Sequence, residues 1–510
     1  MPQAHIWQSK PEPITEFSAE EVADVVVVGA GIAGCTAAQS VAESGASVIC
    51  IEKFDQPSAH GVDIGAIDSI LQREAGIEIS PIEAARLIYA WSQQQANYQL
   101  IRTFTERSGE VMSHYVQIAR EAGYTVHLNT EHTARADWDT LDDRFRMFRT
   151  AHVFNDPNAP ESDGPLRNVV YAVRVIYESA LAHGAKFYFN TPAEQLIKEN
   201  GRVVGVAVAD GNGGYKRIIG RNGVIMATGG ITNNKEMIEC FCPMALYADG
   251  NAYTPVGGND GDGHILCAWA GAAFSRCFPA PLIHPVSFTA LKPGMDSSWL
   301  AVNRNGKRFC NETAWEPIVT NARISAPGNI AWSIWDSDYL EHYKRMEPIK
   351  YAALPDDILE EVEECVARGK YVRADSIEEL AEAIGVPADN LVATVARYNE
   401  LVDSGVDEDF GVPERFLSPC KRGPFYASKI SAVMLSLLYG MRVDDNSQVC
   451  DACDDPIPGL YAVGAVQGDF FANSYPVTMP GADHGRALCF GRLVGLALAK
   501  GENIDGTPAA

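Results

Sequence analysis

Gly29-Ala30-Gly31-Ile32-Ala33-Gly34, and Glu52 at the end of the next apolar run, have the types and spacing that hold a dinucleotide. The first glycine permits a tight turn and the second lets a pyrophosphate approach the main chain. The third lets a helix pack closely on a strand, and free amides at the helix start face the negative charge. Glu52 accepts hydrogen bonds from a ribose 2′-OH and repels a 2′-phosphate, so the expected ligand is FAD or NAD and not NADP. Cys450 and Cys453 form a C-x-x-C, but Asp454 follows where haem attachment needs histidine, and no second pair stands at zinc spacing. They read as a loop, and no metal is expected.

These residues need a β-α-β unit to position them, and the chain supplies one. Val25 to Val28 is an apolar β-rich run, Ile32 to Ser44 is helix-like, and Ser47 to Ile51 is a second strand. Pro81 to Ala122 has helical periodicity, with Leu87, Trp91, Tyr98, Ile101 and Phe104 on the apolar positions. Short β-type runs over 186–208, a turn at 210–215 and a strand ending at Ala227-Thr228-Gly229-Gly230 predict a small antiparallel insertion returning to the main sheet. Between 278 and 436 the character changes, with tryptophans at 299, 315, 332 and 335 and acidic helix-like stretches at 356–368 and 376–385. The run Gly459 to Gly464 and a helix over 480–500 then bring the chain back to finish the nucleotide fold. The expected class is therefore α/β: a discontinuous Rossmann-type dinucleotide-binding domain over 17–278 and 437–510, and an inserted α+β substrate-capping domain over 279–436.

At 510 residues, 46% of them hydrophobic and 21% charged, the chain has the balance of a globular protein of two or three domains. Its formal charge of −25 repels phosphate backbones, so no nucleic-acid partner is expected. No window reaches the roughly 18 apolar residues of a membrane span, and no apolar leader segment is seen. Twelve scattered cysteines suit reduced thiols and a cytoplasmic location.

Beyond the glycine motif, the chain resembles the flavoprotein subunit family of fumarate reductase and succinate dehydrogenase, in the branch that holds 3-ketosteroid dehydrogenases. Gly29 to Glu52, Ala227 to Gly230, Gly261-Asp262-Gly263, His284-Pro285, Val302 to Glu312 and Gly459 to Gly464 carry the likeness, in order, across nearly the whole chain. The resemblance implies that the domain over 17–278 and 437–510 is a Rossmann-type FAD-binding domain (GR2-like), and it implies hydride transfer between flavin N5 and a C–C bond. It implies FAD contacts at Gly29, Gly31, Ala33, Gly34, Glu52, Lys53, Gly65, Ala66, Ala227, Thr228, Gly229, Asp262, Gly464 and Ala482. Some members attach FAD through a histidine near the position of His60; non-covalent FAD is the expectation here.

Fumarate-reducing members place a proton-donating arginine four residues after the Asn-Glu of this motif, where the present chain has Glu316. A second arginine is expected within 472–476, which reads Ala-Asn-Ser-Tyr-Pro, and an expected histidine falls on Ser436. A substrate carboxylate about 4 Å from Glu316 is repelled by roughly 4 kcal/mol at an effective dielectric of about 20. Asn473 to Gly481 is instead similar to the tyrosine–glycine loop of ketosteroid dehydrogenases, longer by two residues, which implies that Tyr475 and Gly481 hold a ketone oxygen. Glu316 stands where those enzymes place a proton-abstracting tyrosine, and His284 orients substrate.

The expected activity is interconversion of a cyclic ketone, steroid-like ketones included, and its α,β-unsaturated counterpart, with an external electron donor or acceptor as partner. Two alternatives stay open. One is a reductase of an unsaturated carboxylate whose anion clamp is rebuilt from residues such as Arg323 or Arg304. The other is a flavin-binding protein without catalysis.

Overall fold

The computed structural model of the chain describes residues 5–129, 147–160, 168–252, 257–284, 298–314, 316–352 and 354–509. It divides into two compact units: Met1–Cys242 with Tyr253–Pro281 and Ser436–Ala510, and Pro243–Ala252 with Leu282–Leu435.

The first unit is built on a twisted sheet whose five parallel strands run, from one side to the other, Pro456–Ala462, Tyr215–Met226, Glu20–Val28, Val48–Ile51 and Lys186–Tyr188. Glu20–Val28 is called β1, Val48–Ile51 β2, Tyr215–Met226 β3 and Pro456–Ala462 β4. In β1 the run Val25 to Val28 is at most 4% exposed, since a parallel sheet buried on both faces does not require alternation. Val28 pairs with Ile51 on one side and with Met226 on the other, so the ends of three strands stand level. The helix after β1, Ile32–Glu43 (α1), is almost entirely buried. Its small residues allow that: a Cβ on Gly495 of the last helix would come within 2.7 Å of the Ala37 carbonyl oxygen.

Strand β3 also carries the antiparallel insertion, pairing with Arg202–Ala209, which in turn pairs with Ala193–Glu199. The stretch of helical periodicity over 81–122 forms two helices, Pro81–Trp91 and Tyr98–Glu121. Gln93 and Gln94 adopt left-handed φ of 52° and 61°, and the Asn97 side chain caps the second helix by accepting from the amides of Gln99 and Leu100. Hydrophobic periodicity continues through such a break because both helices face the same core, so it cannot reveal the cap.

The second unit contains a four-stranded antiparallel sheet in the order Leu300–Asn303, Ala331–Trp335, Phe425–Lys429, Tyr371–Ala374, with helices that include Glu316–Ser325 and Ala388–Ser404. Trp335 stacks on Tyr426, meets Tyr371 edge-on and lies 6.0 Å from Trp299 between ring centres. Trp299 and Trp335 are thus core residues of this unit, and Trp315 lies outside the described residues. Among the described residues no helix is long and apolar enough to cross a membrane, and no cluster of side chains is arranged to hold a metal ion.

Candidate FAD cleft and active site

The level strand ends of the first unit open into a cleft with about 1150 Å³ of empty space, the open mouth included. Gly29, Gly31 and Ala33 line one wall, Glu52 and Lys53 the next, and Ala227, Thr228, Gly229, Asp262 and Gly464 the others.

The cleft has the features an FAD needs. Gly31 is the N-cap of α1 and offers no side-chain cap, so the first amides of the helix remain for a ligand's phosphate oxygens. Glu52, 7% exposed, accepts from the amides of Ala30 at 2.6 Å and Phe54 at 3.0 Å, one on each carboxylate oxygen. A carboxylate has about four acceptor sites, so two remain for ribose hydroxyls. Thr228 Oγ1 is buried without a hydrogen-bond partner among the described residues, a polar atom in the cleft wall that a ligand would satisfy. Lys53 Nζ is pinned by Asp260 at 2.8 Å and by Asp262 at 2.6 Å, which ties β2 to the helix Asp262–Trp269 (α2).

Four of the expected contact residues lie outside the lining. Gly34 packs against the Gly29 carbonyl, where a Cβ would fall 1.8 Å from its oxygen. Gly65 ends the short strand Ile64–Gly65, its amide donating to the Gly481 carbonyl at 2.8 Å, and buried Ala66 donates to Thr150 O. Ala482 is the first residue of the helix Ala482–Ala499 (α3) and is fully buried. These four shape the cleft from behind. Sequence reasoning missed Thr191 to Ala193, Asn259, Asp483 and His484, which line the cleft from turns and a helix start. Only Asn259, with φ of 53° and its side chain accepting the Gly230 amide, had a signal in the sequence: its place in a glycine-rich turn.

His60 also lines the cleft, its ring 6.2 Å from that of His484, and burial pushes it down to about 4. Such a histidine is neutral near pH 7.

Beside the cleft, Tyr475 is 5% exposed and rests against Phe471, and burial pushes its phenol well above the ordinary value. Its hydroxyl accepts a hydrogen bond from the amide of Asp483, a cleft residue, at 3.0 Å. The hydroxyl's own hydrogen finds no acceptor among the described residues. Gly481, the N-cap of α3 with φ of 74°, has an amide that makes no hydrogen bond among the described residues.

The other two expected catalytic residues belong to the second unit. His284 ends the strand Ala280–His284 and is half-buried, and Pro285 lies outside the described residues. Glu316 opens the helix Glu316–Ser325, and its side chain is likewise outside what is described. On the same helix Arg323 is fully buried, with Nη2 on Asp249 at 2.7 Å and with Nε and Nη1 unpartnered. Arg304 is exposed.

Residues 24–477 match the family described as FAD binding domain. The 3-oxosteroid 1-dehydrogenase of Mycolicibacterium smegmatis is 27% identical, covering 93% of this chain and 97% of its own. The fumarate reductase (cytochrome) of Shewanella frigidimarina is also 27% identical, covering 98% of this chain and 83% of its own. Among solved structures, the 3-ketosteroid-Δ4-(5α)-dehydrogenase of Rhodococcus jostii RHA1 in complex with 4-androstene-3,17-dione superposes with a TM-score of 0.74 at 22% identity, over 95% of this chain and 98% of that one, and so shares its fold. The chain therefore belongs to the FAD binding domain family and is an FAD-dependent flavoprotein oxidoreductase.

Proposed function

We propose that this flavoenzyme acts on a CH–CH group beside a ketone, interconverting a saturated cyclic ketone and its α,β-unsaturated counterpart. The observation that carries this reading is the Tyr475 hydroxyl, a buried neutral donor that already accepts from Asp483 and has no acceptor of its own among the described residues. A donor left unpaired in a low-dielectric site is costly unless charge develops in front of it, and a ketone oxygen acquires charge only as the enolate forms. The Gly481 amide is the second such donor. FAD, when bound, supplies the acceptor or donor of the hydride at the β-carbon. Gly29, Gly31, Ala33, Glu52, Lys53, Ala227, Thr228, Gly229, Asp262 and Gly464 would hold it. Glu316 takes or returns the α-proton, and His284 orients the substrate. The likeness to a 3-oxosteroid 1-dehydrogenase supports a ring ketone.

A second reading, a reductase of an unsaturated carboxylate, is favoured by one observation. Arg323 keeps two buried donors unpartnered on the helix that Glu316 opens, and a fumarate reductase is among the relatives. Against it, Asp249 already neutralises that guanidinium.

Anaerobic mixing of the purified flavoprotein with saturated cyclic ketones, cyclic enones, fumarate and urocanate separates the two. Bleaching of the oxidised flavin by a saturated ketone, or reoxidation of the reduced flavin by an enone alone, supports the ketone site. Reoxidation by the carboxylates in its place overturns it. Glu316→Gln then leaves flavin content intact and lowers turnover by about 10²–10⁴-fold; unchanged turnover removes Glu316 from the mechanism.

A further inference from the structure

Arg486 is among the most deeply buried charged residues of the chain, 1% exposed in the first turns of α3. Its Nη2 donates to Asp483 Oδ1 at 2.8 Å and its Nη1 to the main-chain oxygen of Gln467 at 3.0 Å. The guanidinium carbon stands 5.3 Å from the ring centre of Phe470 and 4.9 Å from that of Phe471, and Nε has no partner among the described residues.

An apolar residue at this position would pack equally well, and a buried ion pair is a poor way to gain stability. What the pair does is local. Arg486 holds Asp483 from one side, Asp483 lines the cleft on another, and the Asp483 amide donates to the Tyr475 hydroxyl. A phenol oxygen whose acceptor side is fixed has the direction of its own O–H restricted as well.

We propose that Arg486 is a positioning residue for the reaction: by clamping Asp483 it fixes the direction in which Tyr475 offers its hydrogen. The planar fork of arginine suits two acceptors at once, which a lysine ammonium on a flexible stem does not reproduce, although it keeps the charge. The inference rests on the reading of Tyr475 as the donor to a ketone oxygen, and it adds a residue that acts through that donor without touching substrate.

The test is a double-mutant cycle on the intact flavoprotein, with reoxidation of the photoreduced flavin by cyclohexenone as the rate. Because Arg486→Met alone leaves the half-buried Asp483 carboxylate without its cation, Arg486→Met with Asp483→Asn is made beside it, and Arg486→Lys is the conservative variant. Flavin content and the thermal midpoint are recorded for each. The expected result is a rate lowered on the order of 10–100-fold in the Met variants, with part of it restored by lysine, and little further loss when the same changes are made in a Tyr475→Phe background. Losses that add fully to that of Tyr475→Phe mean that Arg486 acts on folding alone, and an unchanged rate in the Met variants means that it does nothing here; either overturns the proposal. A Tyr475→Phe protein as fast as the parent, or a parent that cyclohexenone does not reoxidise, instead overturns the function on which the proposal stands.

Discussion

The Cβ that any other residue would place at position 34 falls 1.8 Å from the carbonyl oxygen of Gly29, whereas one at position 31 meets nothing nearer than the Ser58 carbonyl oxygen at 3.6 Å. The two glycines of one motif therefore have different duties. The first contact is main chain against main chain between β1 and α1 and cannot relax cheaply; the second leaves an ordinary van der Waals gap on the cleft side.

Gly34→Ala is accordingly expected to cost more than about 4 kcal/mol and to abolish soluble folded protein. Gly31→Ala is expected to fold with a nearly parental thermal midpoint in the absence of flavin and to lose FAD affinity by at least about tenfold, since its methyl stands where the phosphates must come close. Equilibrium flavin titration and thermal unfolding of the two apoproteins check both halves.

A second contrast concerns the motif around Arg308, which the sequence marks only as part of a family likeness. Its guanidinium is 6% exposed, donates to Glu312 at 2.6 Å and to Asp407 at 2.7 Å, and lies against the rings of Tyr398 and Phe410. Arg308→Met strands two buried carboxylates, and the expected loss is about 3–5 kcal/mol in the second unit, with flavin affinity of the folded protein unchanged. Chemical denaturation followed by tryptophan fluorescence reads this, since Trp299 and Trp335 belong to that unit's core.

What the sequence made legible divides along the same line. The nucleotide cleft could be read because its demands are local: Gly29, Gly31 and Glu52 lie within one β-α-β unit, where spacing determines position. Asp483 and Thr191 could not, because segments far apart in the chain bring them to the same wall and nothing in their own neighbourhood announces it. Gly65 and Ala482 illustrate the reverse case. Each lies beside the cleft in the chain's path, but their contacts are with one another's segments: a Cβ at Gly65 would meet the Gly481 carbonyl carbon at 2.9 Å. Arg486 had no signal at all, since an arginine inside a helix reads as solvated until its burial is seen.

Acid should destabilise the protein through two histidines whose neutral form is built in. His152 accepts from Ser69 Oγ at 2.7 Å on one nitrogen and faces the Thr150 carbonyl at 2.8 Å with the other, while His264 donates to the Tyr439 carbonyl and its Nδ1 has no partner. Burial pushes each down to about 4. The unfolded chain binds these protons near pH 6.5 and the folded one only near pH 4, so the stabilisation is complete above about 6.5 and is lost as pH falls towards 4. The loss is about 3 kcal/mol per histidine over that window. Denaturant midpoints measured at several pH values should fall through it, and His264→Gln should flatten the slope by about one proton; a slope identical in parent and variant would show that His264 is not the group concerned.

Tyr475→Phe isolates the donor from the scaffold. The phenyl ring keeps its contact with Phe471, and only the oxygen is removed, leaving the Asp483 amide without its acceptor at the start of α3, at a cost of about 1–2 kcal/mol. FAD affinity should change little, because Tyr475 is not among the residues that line the cleft. The chemical step should slow by about 10²–10³-fold, the effect of deleting one oxyanion donor, and the KM for ketone should move much less, since the charge that needs the donor exists only in the transition state. Single-turnover flavin bleaching measures the step directly. If the substrate is a carboxylate in place of a ketone, its oxygens are charged before the reaction begins, and removal of the hydroxyl would raise KM with little change in kcat.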